Sequence, residues 1–184
     1  MNKQQVVDMT DEYYMPVFAR YNIALSHGEG PYAYDLDGKK YLDFLAGIAV
    51  NLLGHAHPRL VGAIAEQAGK MIHCSNLYYT EVQAKLVKRL AAVSGLDKVF
   101  IANSGAEANE GAIKLARKYG KKLNADRVEI ISANHCFHGR TLATLAATGK
   151  YHDGYEPLPT GFRHVDYNDI EALKAIVSEK TCAI

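Results

Sequence analysis

Asn103-Ser104-Gly105-Ala106-Glu107-Ala108-Asn109-Glu110 follows the short apolar run Lys98-Val99-Phe100-Ile101-Ala102 and opens a stretch with helical spacing. A strand that turns sharply through Ser-Gly into a helix leaves the first N–H groups of that helix without partners. Those groups, with the positive end of the helix dipole, make a seat for an anion such as a phosphate. Gly105 lets an anion approach the backbone closely, and Ser104 can cap the helix or donate its hydroxyl. The same octapeptide also suits an ordinary capped helix, so its meaning rests on what surrounds it.

The bulk numbers narrow the field. A chain of 184 residues with 48% apolar composition has material for one ordinary core. Its net charge of +1, from 21 basic and 20 acidic side chains, gives no electrostatic reason to expect nucleic acid or an anionic membrane as partner. Cys74, Cys136 and Cys182 are odd in number and lack CxxC spacing, which argues for a reducing compartment and against a disulfide framework or thiolate zinc site. No apolar run is long enough to cross a bilayer, and the polar start from Asn2 to Glu12 is not a signal peptide. The expected setting is cytoplasmic.

Outward from the octapeptide, periodicity predicts alternating strands and helices. Residues 1 to about 25 read as an entry arm, broken at Pro16, that lies on a surface instead of forming a long helix. From Gly30 to Phe44 the pattern is a hairpin turning at Asp37-Gly38. Gly47 to Pro58 reads as a loop; Pro58 then opens a helix with Leu60, Ile64 and Met71 on one side. Thr80-Glu81-Val82-Gln83 fits a capping box, followed by Val82, Leu86, Leu90 and Val93 at helical spacing until Gly95. A strand over 98–102 leads to a helix over 105–119 that Gly120 can terminate. Strands over 127–133 and 162–165 and a capped helix from Asn168-Asp169 complete the pattern. This alternation implies an α/β architecture with a largely parallel sheet. Thr181-Cys182-Ala183-Ile184 looks like the opening of a buried strand, and a sheet edge left there would be uncovered. The expectation is that these residues are the N-terminal part of a longer protein.

His135-Cys136-Phe137-His138-Gly139-Arg140 follows the apolar strand 127–133, at the sheet edge where open α/β folds bind ligands. Placed beside the Ser104-Gly105 turn, Phe137 could stack on a planar ring and Arg140 could grip a carboxylate with both arms of its guanidinium. Spacing alone equally allows Phe137 in the core and Arg140 as a solvated charge. The histidines of this segment and of His55-Ala56-His57 are too tightly spaced for a usual metal set and read as satisfied loop residues. No Ser-His-Asp order or paired acids with a defined context supports a hydrolase.

The octapeptide together with Ile113-Lys114-Leu115-Ala116-Arg117 resembles the phosphate-binding turn of class III pyridoxal-phosphate aminotransferases. The hairpin with Asp35, Gly38, Tyr41 and Asp43 matches as well, as do Gly54-His55-Ala56-His57-Pro58, Ser75-Asn76-Leu77-Tyr78-Tyr79 and Phe137-His138-Gly139-Arg140-Thr141. The likeness runs from about residue 10 to the end, and the last two motifs narrow it toward the acetylornithine and ornithine branch.

The resemblance implies a fold-type-I enzyme with a mixed, mostly parallel sheet, flanking helices and a small N-terminal hairpin segment. Residues 1–60 would supply an arm and part of a small domain, and 61–184 the first part of the large domain that binds pyridoxal 5'-phosphate. It further implies a homodimer acting on N-acetylornithine and 2-oxoglutarate/glutamate in arginine biosynthesis. Ornithine, succinyl-diaminopimelate or 4-aminobutyrate as donor, and a non-catalytic scaffold, are the alternatives. Carried over by motif, Gly105 and Ala106 would bind the cofactor phosphate through their N–H groups. Phe137 would stack on the pyridine ring and Arg140 would hold the substrate α-carboxylate. The aspartate that pairs with the pyridine nitrogen and the Schiff-base lysine are expected beyond Ile184. These 184 residues alone should therefore not transaminate.

Overall fold

Asn2 and Gln5 close a reciprocal capping box at the start of helix α1 (Lys3–Tyr13) in the computed structural model, which describes all residues, 1–184. The entry arm thus holds a helix that periodicity does not predict. Its cap satisfies two otherwise orphaned donors, and Pro16 acts only after the helix has ended. None of its residues is buried, in keeping with an arm on a surface. The chain folds as two compact units, Met1–Tyr79 and Thr80–Ile184.

In the first unit, strands β1 (Leu25–Glu29), β2 (Tyr32–Asp35) and β3 (Lys40–Leu42) form an antiparallel meander in that order. The β2–β3 hairpin follows the turn signal; β1 escapes prediction because Leu-Ser-His-Gly-Glu lacks a clean apolar alternation. Asp35 organises the β2–β3 turn. Its Oδ1 accepts from the N–H groups of Asp37 (3.0 Å) and Lys39 (2.8 Å), and its Oδ2 accepts from the Tyr41 hydroxyl (2.7 Å). Gly38 takes the φ of +81° that lets the chain reverse.

Asp43 repeats the device one turn later. Its Oδ1 accepts from the N–H groups of Leu45 and Ala46, while Oδ2 lies 2.7 Å from His55 Nε2. Between them the chain passes through α2 (Ala46–Ala49), a single turn with positive φ at all four residues. His55 packs over Gly28, where an added Cβ would stand 2.4 Å from the imidazole Cγ. Helix α3 (Pro58–Lys70) begins with proline in its first turn. Its apolar side is open in these 184 residues: Leu60, Ile64 and the following Met71 are all exposed.

The second unit begins with α4 (Glu81–Ser94), capped by Thr80 Oγ1 on the Gln83 N–H and closed by Gly95 in the left-handed region. Lys98–Ala102 forms no strand. It has no ladder partner, and an isolated extended segment cannot satisfy its backbone groups within a sheet. Helix α5 (Gly105–Leu123) runs past Gly120 to a cap at Asn124, so Gly120 is not its terminator. The residue is buried, and a Cβ there would stand 2.2 Å from the Arg127 carbonyl oxygen. Glycine at 120 allows close approach, where the spacing suggests a stop.

Strand β4 (Glu129–Ala133) leads through α6 (Leu142–Ala147) to β5 (Phe162–Val165), and α7 (Ile170–Ile176) leads to β6 (Thr181–Ala183). The three strands form a parallel sheet with β4 in the centre, order β5-β4-β6. Helix α6 is too short to show in the periodicity; it starts from a Thr141–Thr144 capping box. Ile113 of α5, Ile130 of β4 and Ala147 of α6 make the buried core, lined by Ala116, Ala143, Phe162, Cys182 and Ala183. Burial there pushes the Cys182 thiol pKa up. No helix is long and apolar enough to cross a membrane.

Gly120→Ala should destabilise the protein. Alanine gains about 0.8–1.0 kcal/mol of helix propensity, whereas overpacking against fixed atoms costs roughly 1–3 kcal/mol, and the obstacle here is backbone. A net loss of about 1–2 kcal/mol in urea unfolding is expected, and a stability gain would show that α5 can move off Arg127.

The Tyr41 hydroxyl, then the Lys39 and Asp37 N–H groups, hold the Asp35 carboxyl below its ordinary value of 3.8 against the opposing effect of burial. A depressed carboxylate stabilises the fold fully above its unfolded value and loses that contribution as pH falls through the folded value. Titrating the Asp35 carboxyl by NMR should give a midpoint below 3.8 that rises in Tyr41→Phe. An unchanged midpoint in the variant would remove Tyr41 as the leading cause.

Candidate functional site

Ser104 is the N-cap of α5, and its hydroxyl accepts from the Glu107 N–H at 3.2 Å. The Ala108 N–H bonds to the Ser104 carbonyl, which leaves the Gly105 and Ala106 N–H groups as the donors of the first turn with no acceptor in the chain. Glu107 turns its carboxylate back to the Asn103 N–H (2.6 Å) and side-chain amide (3.3 Å), not to Gly105 or Ala106. A Cβ built on Gly105 would meet no atom within 4 Å. The turn therefore presents two aligned backbone donors and a helix dipole to open space, a fit for an anion.

The segment after β4 lies against this turn. Gly139 is buried at φ +139°, and a Cβ there would stand 2.8 Å from the Cβ of Ala106 and 2.6 Å from Thr144 Oγ1. Asn109 Nδ2 donates to the His138 carbonyl at 2.7 Å, and Thr141 Oγ1 donates to Glu110 Oε1 at 2.5 Å. The His138 N–H reaches Thr148 Oγ1 at 3.0 Å. The sequence suggests this juxtaposition, but not the residues that hold it. Asn109, Glu110, Thr141 and Thr144 read from spacing only as helix polar positions and a cap, because the partners of Asn109 and Glu110 lie some 30 residues away.

Phe137 is 59% exposed, which takes it out of the core. Arg140, also exposed, places its guanidinium carbon 5.5 Å from the Phe137 ring centroid, within cation–π range. An aromatic face and a guanidinium thus sit together on the loop that rests on the α5 turn. Cys136 Sγ and His138 Nδ1 approach to 3.2 Å, and Cys136 also reaches the Ala147 carbonyl at 3.4 Å. In the first unit, His55 is engaged by Asp43.

Comparison with known proteins gives a consistent answer. The family model for aminotransferase class-III matches residues 14–184. The acetylornithine aminotransferase of Methanocaldococcus jannaschii is 55% identical over 187 aligned residues, covering 100% of this chain and 47% of the relative. That of Gloeobacter violaceus is 54% identical over 177, covering 95% and 44%. Among solved structures, an ornithine aminotransferase from Toxoplasma gondii superposes with a TM-score of 0.90 at 28% identity, over 95% of this chain and 42% of that one. The N-acetylornithine aminotransferase of Stenotrophomonas maltophilia gives 0.72 at 35% identity, over 92% and 41%. The chain spans about half the length of the curated relatives it matches.

Proposed function

The chain belongs to the class III aminotransferases, and from that premise we propose that the whole protein transfers an amino group from N-acetylornithine to 2-oxoglutarate with pyridoxal 5'-phosphate as cofactor. The observation that carries this reading is the α5 turn, with its two unpartnered N–H groups, bound to a loop that bears Phe137 and Arg140. Identities of 55% and 50% to two curated acetylornithine aminotransferases support the acetylated donor.

On this reading the N–H groups of Gly105 and Ala106 bind the cofactor phosphate, and the dipole of the 19-residue helix α5 favours its charge. Phe137 offers its exposed face to the pyridine ring, a stacking contact that fixes the plane of the ring without bonding to it. Arg140 takes the α-carboxylate that donor and acceptor share, so one planar fork serves both half-reactions. Pyridoxal phosphate supplies the electron sink for proton removal next to that carboxylate. The lysine and aspartate of the reaction belong beyond Ile184, and residues 1–184 alone do not transaminate.

In the whole protein, residues 1–60 are the arm and part of the small domain, and 61–184 begin the cofactor domain. The parent is a cytoplasmic homodimer of arginine biosynthesis. The exposed apolar stripes of α3 and of α4 support that much surface being covered in the assembled protein.

Gly105→Leu in the whole protein should weaken pyridoxal phosphate by filling the space beside the first turn; unchanged affinity in a fluorescence titration would overturn the phosphate assignment. Arg140→Lys should lower kcat/KM for both substrates by roughly 2–4 kcal/mol of transition-state binding with cofactor affinity nearly intact. Equal kinetics, or a defect traced wholly to cofactor loss, would remove Arg140 as the carboxylate clamp.

A further inference from the structure

We propose that Glu110 and Asn109 are positioning residues for Arg140, acting as a two-point clamp that ties the carboxylate-binding loop to the phosphate-binding helix. This inference rests on the reading of Arg140 given above and adds what sets its place.

The two residues are neighbours on α5, and their side chains grip the loop on either side of Gly139-Arg140. Asn109 Nδ2 holds the His138 carbonyl, one residue before the glycine, and Glu110 Oε1 holds the Thr141 hydroxyl, one residue after the arginine. Between these anchors Gly139 rests on Ala106, so the loop has no room to sink toward the helix. Thr141 is fixed in turn. Its N–H donates to Thr144 Oγ1 at 3.0 Å, and its hydroxyl lies 2.7 Å from the same oxygen at the start of α6.

Arg140 itself is exposed and carried on a loop, so the path of that loop sets where its guanidinium can reach. A carboxylate clamp has to keep its fork in register with the reacting centre, where a displacement near 1 Å can cost on the order of a hundredfold in rate. Bonds on both flanks of the residue, made to the helix whose first turn takes the phosphate, supply that register. The bond to Glu110 is charge-assisted and therefore the stronger of the two.

The test uses the whole enzyme with pyridoxal phosphate. Glu110→Ala should raise KM for 2-oxoglutarate by about tenfold, the scale of one lost hydrogen bond to a charged group. Cofactor affinity should be unchanged, and hydrogen exchange at the Thr141 amide, which donates to Thr144 Oγ1, should speed up. Glu110→Gln keeps the acceptor oxygen and should restore most of both properties. Asn109→Ala should speed exchange at the His138 amide, which donates to Thr148 Oγ1, and it provides the measurement if Glu110→Ala folds poorly. The inference is overturned if exchange in the loop is unchanged, or if Glu110→Gln is as impaired as Glu110→Ala. It is also overturned if KM stays normal in Glu110→Ala while Arg140→Lys raises it. A normal KM in Arg140→Lys would instead overturn the carboxylate reading from which the inference starts.

Discussion

A Cβ on Gly120 would stand 2.2 Å from the Arg127 carbonyl oxygen, and one on Gly139 would stand 2.8 Å from the Cβ of Ala106. These two close approaches set the place of helix α5 at its two ends. The first seats the C-terminal half of the helix on the backbone that enters β4. The second brings the loop that leaves β4 onto the first turn. Because the same strand feeds both approaches, the sheet, the helix and the loop form one unit. The two N–H groups of that turn without an acceptor and the Phe137–Arg140 pair inherit their spacing from it.

Short polar side chains make the finer adjustments, and they do so by serving backbone donors. Asp35 and Asp43 each gather two backbone N–H groups and one side chain, a phenol in one case and an imidazole in the other. Such carboxylates prefer to stay ionised, since each accepted bond favours the charged form. Thr141 and Thr144 do the equivalent work at α6. Asn103 and Glu107 form a further pair at the start of α5, and it leaves the two donors of the first turn untouched.

Much of this is legible in the chain. The α/β alternation, the hairpin, the helix starts at Pro58, Thr80, Ser104 and Asp169, and the parallel strands after residue 127 all follow from local signals of capping and periodicity. The family to which the motifs of residues 103–110 and 137–141 point is the one that matches residues 14–184. The misses share a cause. Helix α6 has only 6 residues, and both it and α1 start from capping boxes whose role shows only in their bonds. The run 98–102 has the composition of a strand but no neighbour to pair with. Gly120 reads as punctuation, although its surroundings make it a point of close packing.

The sequence by itself determined the α/β alternation, the starts of the capped helices, which turn presents free N–H groups, and which family the chain joins. Those properties depend on neighbours a few residues apart, or on the identity of ordered motifs. Tertiary structure alone decided that Phe137 faces outward, that Arg140 stands beside its ring, and that Asn109 and Glu110 hold the loop between them. The last of these joins residues about thirty positions apart. Spacing along the chain says nothing about such distances until the parallel sheet brings the end of β4 to the start of α5.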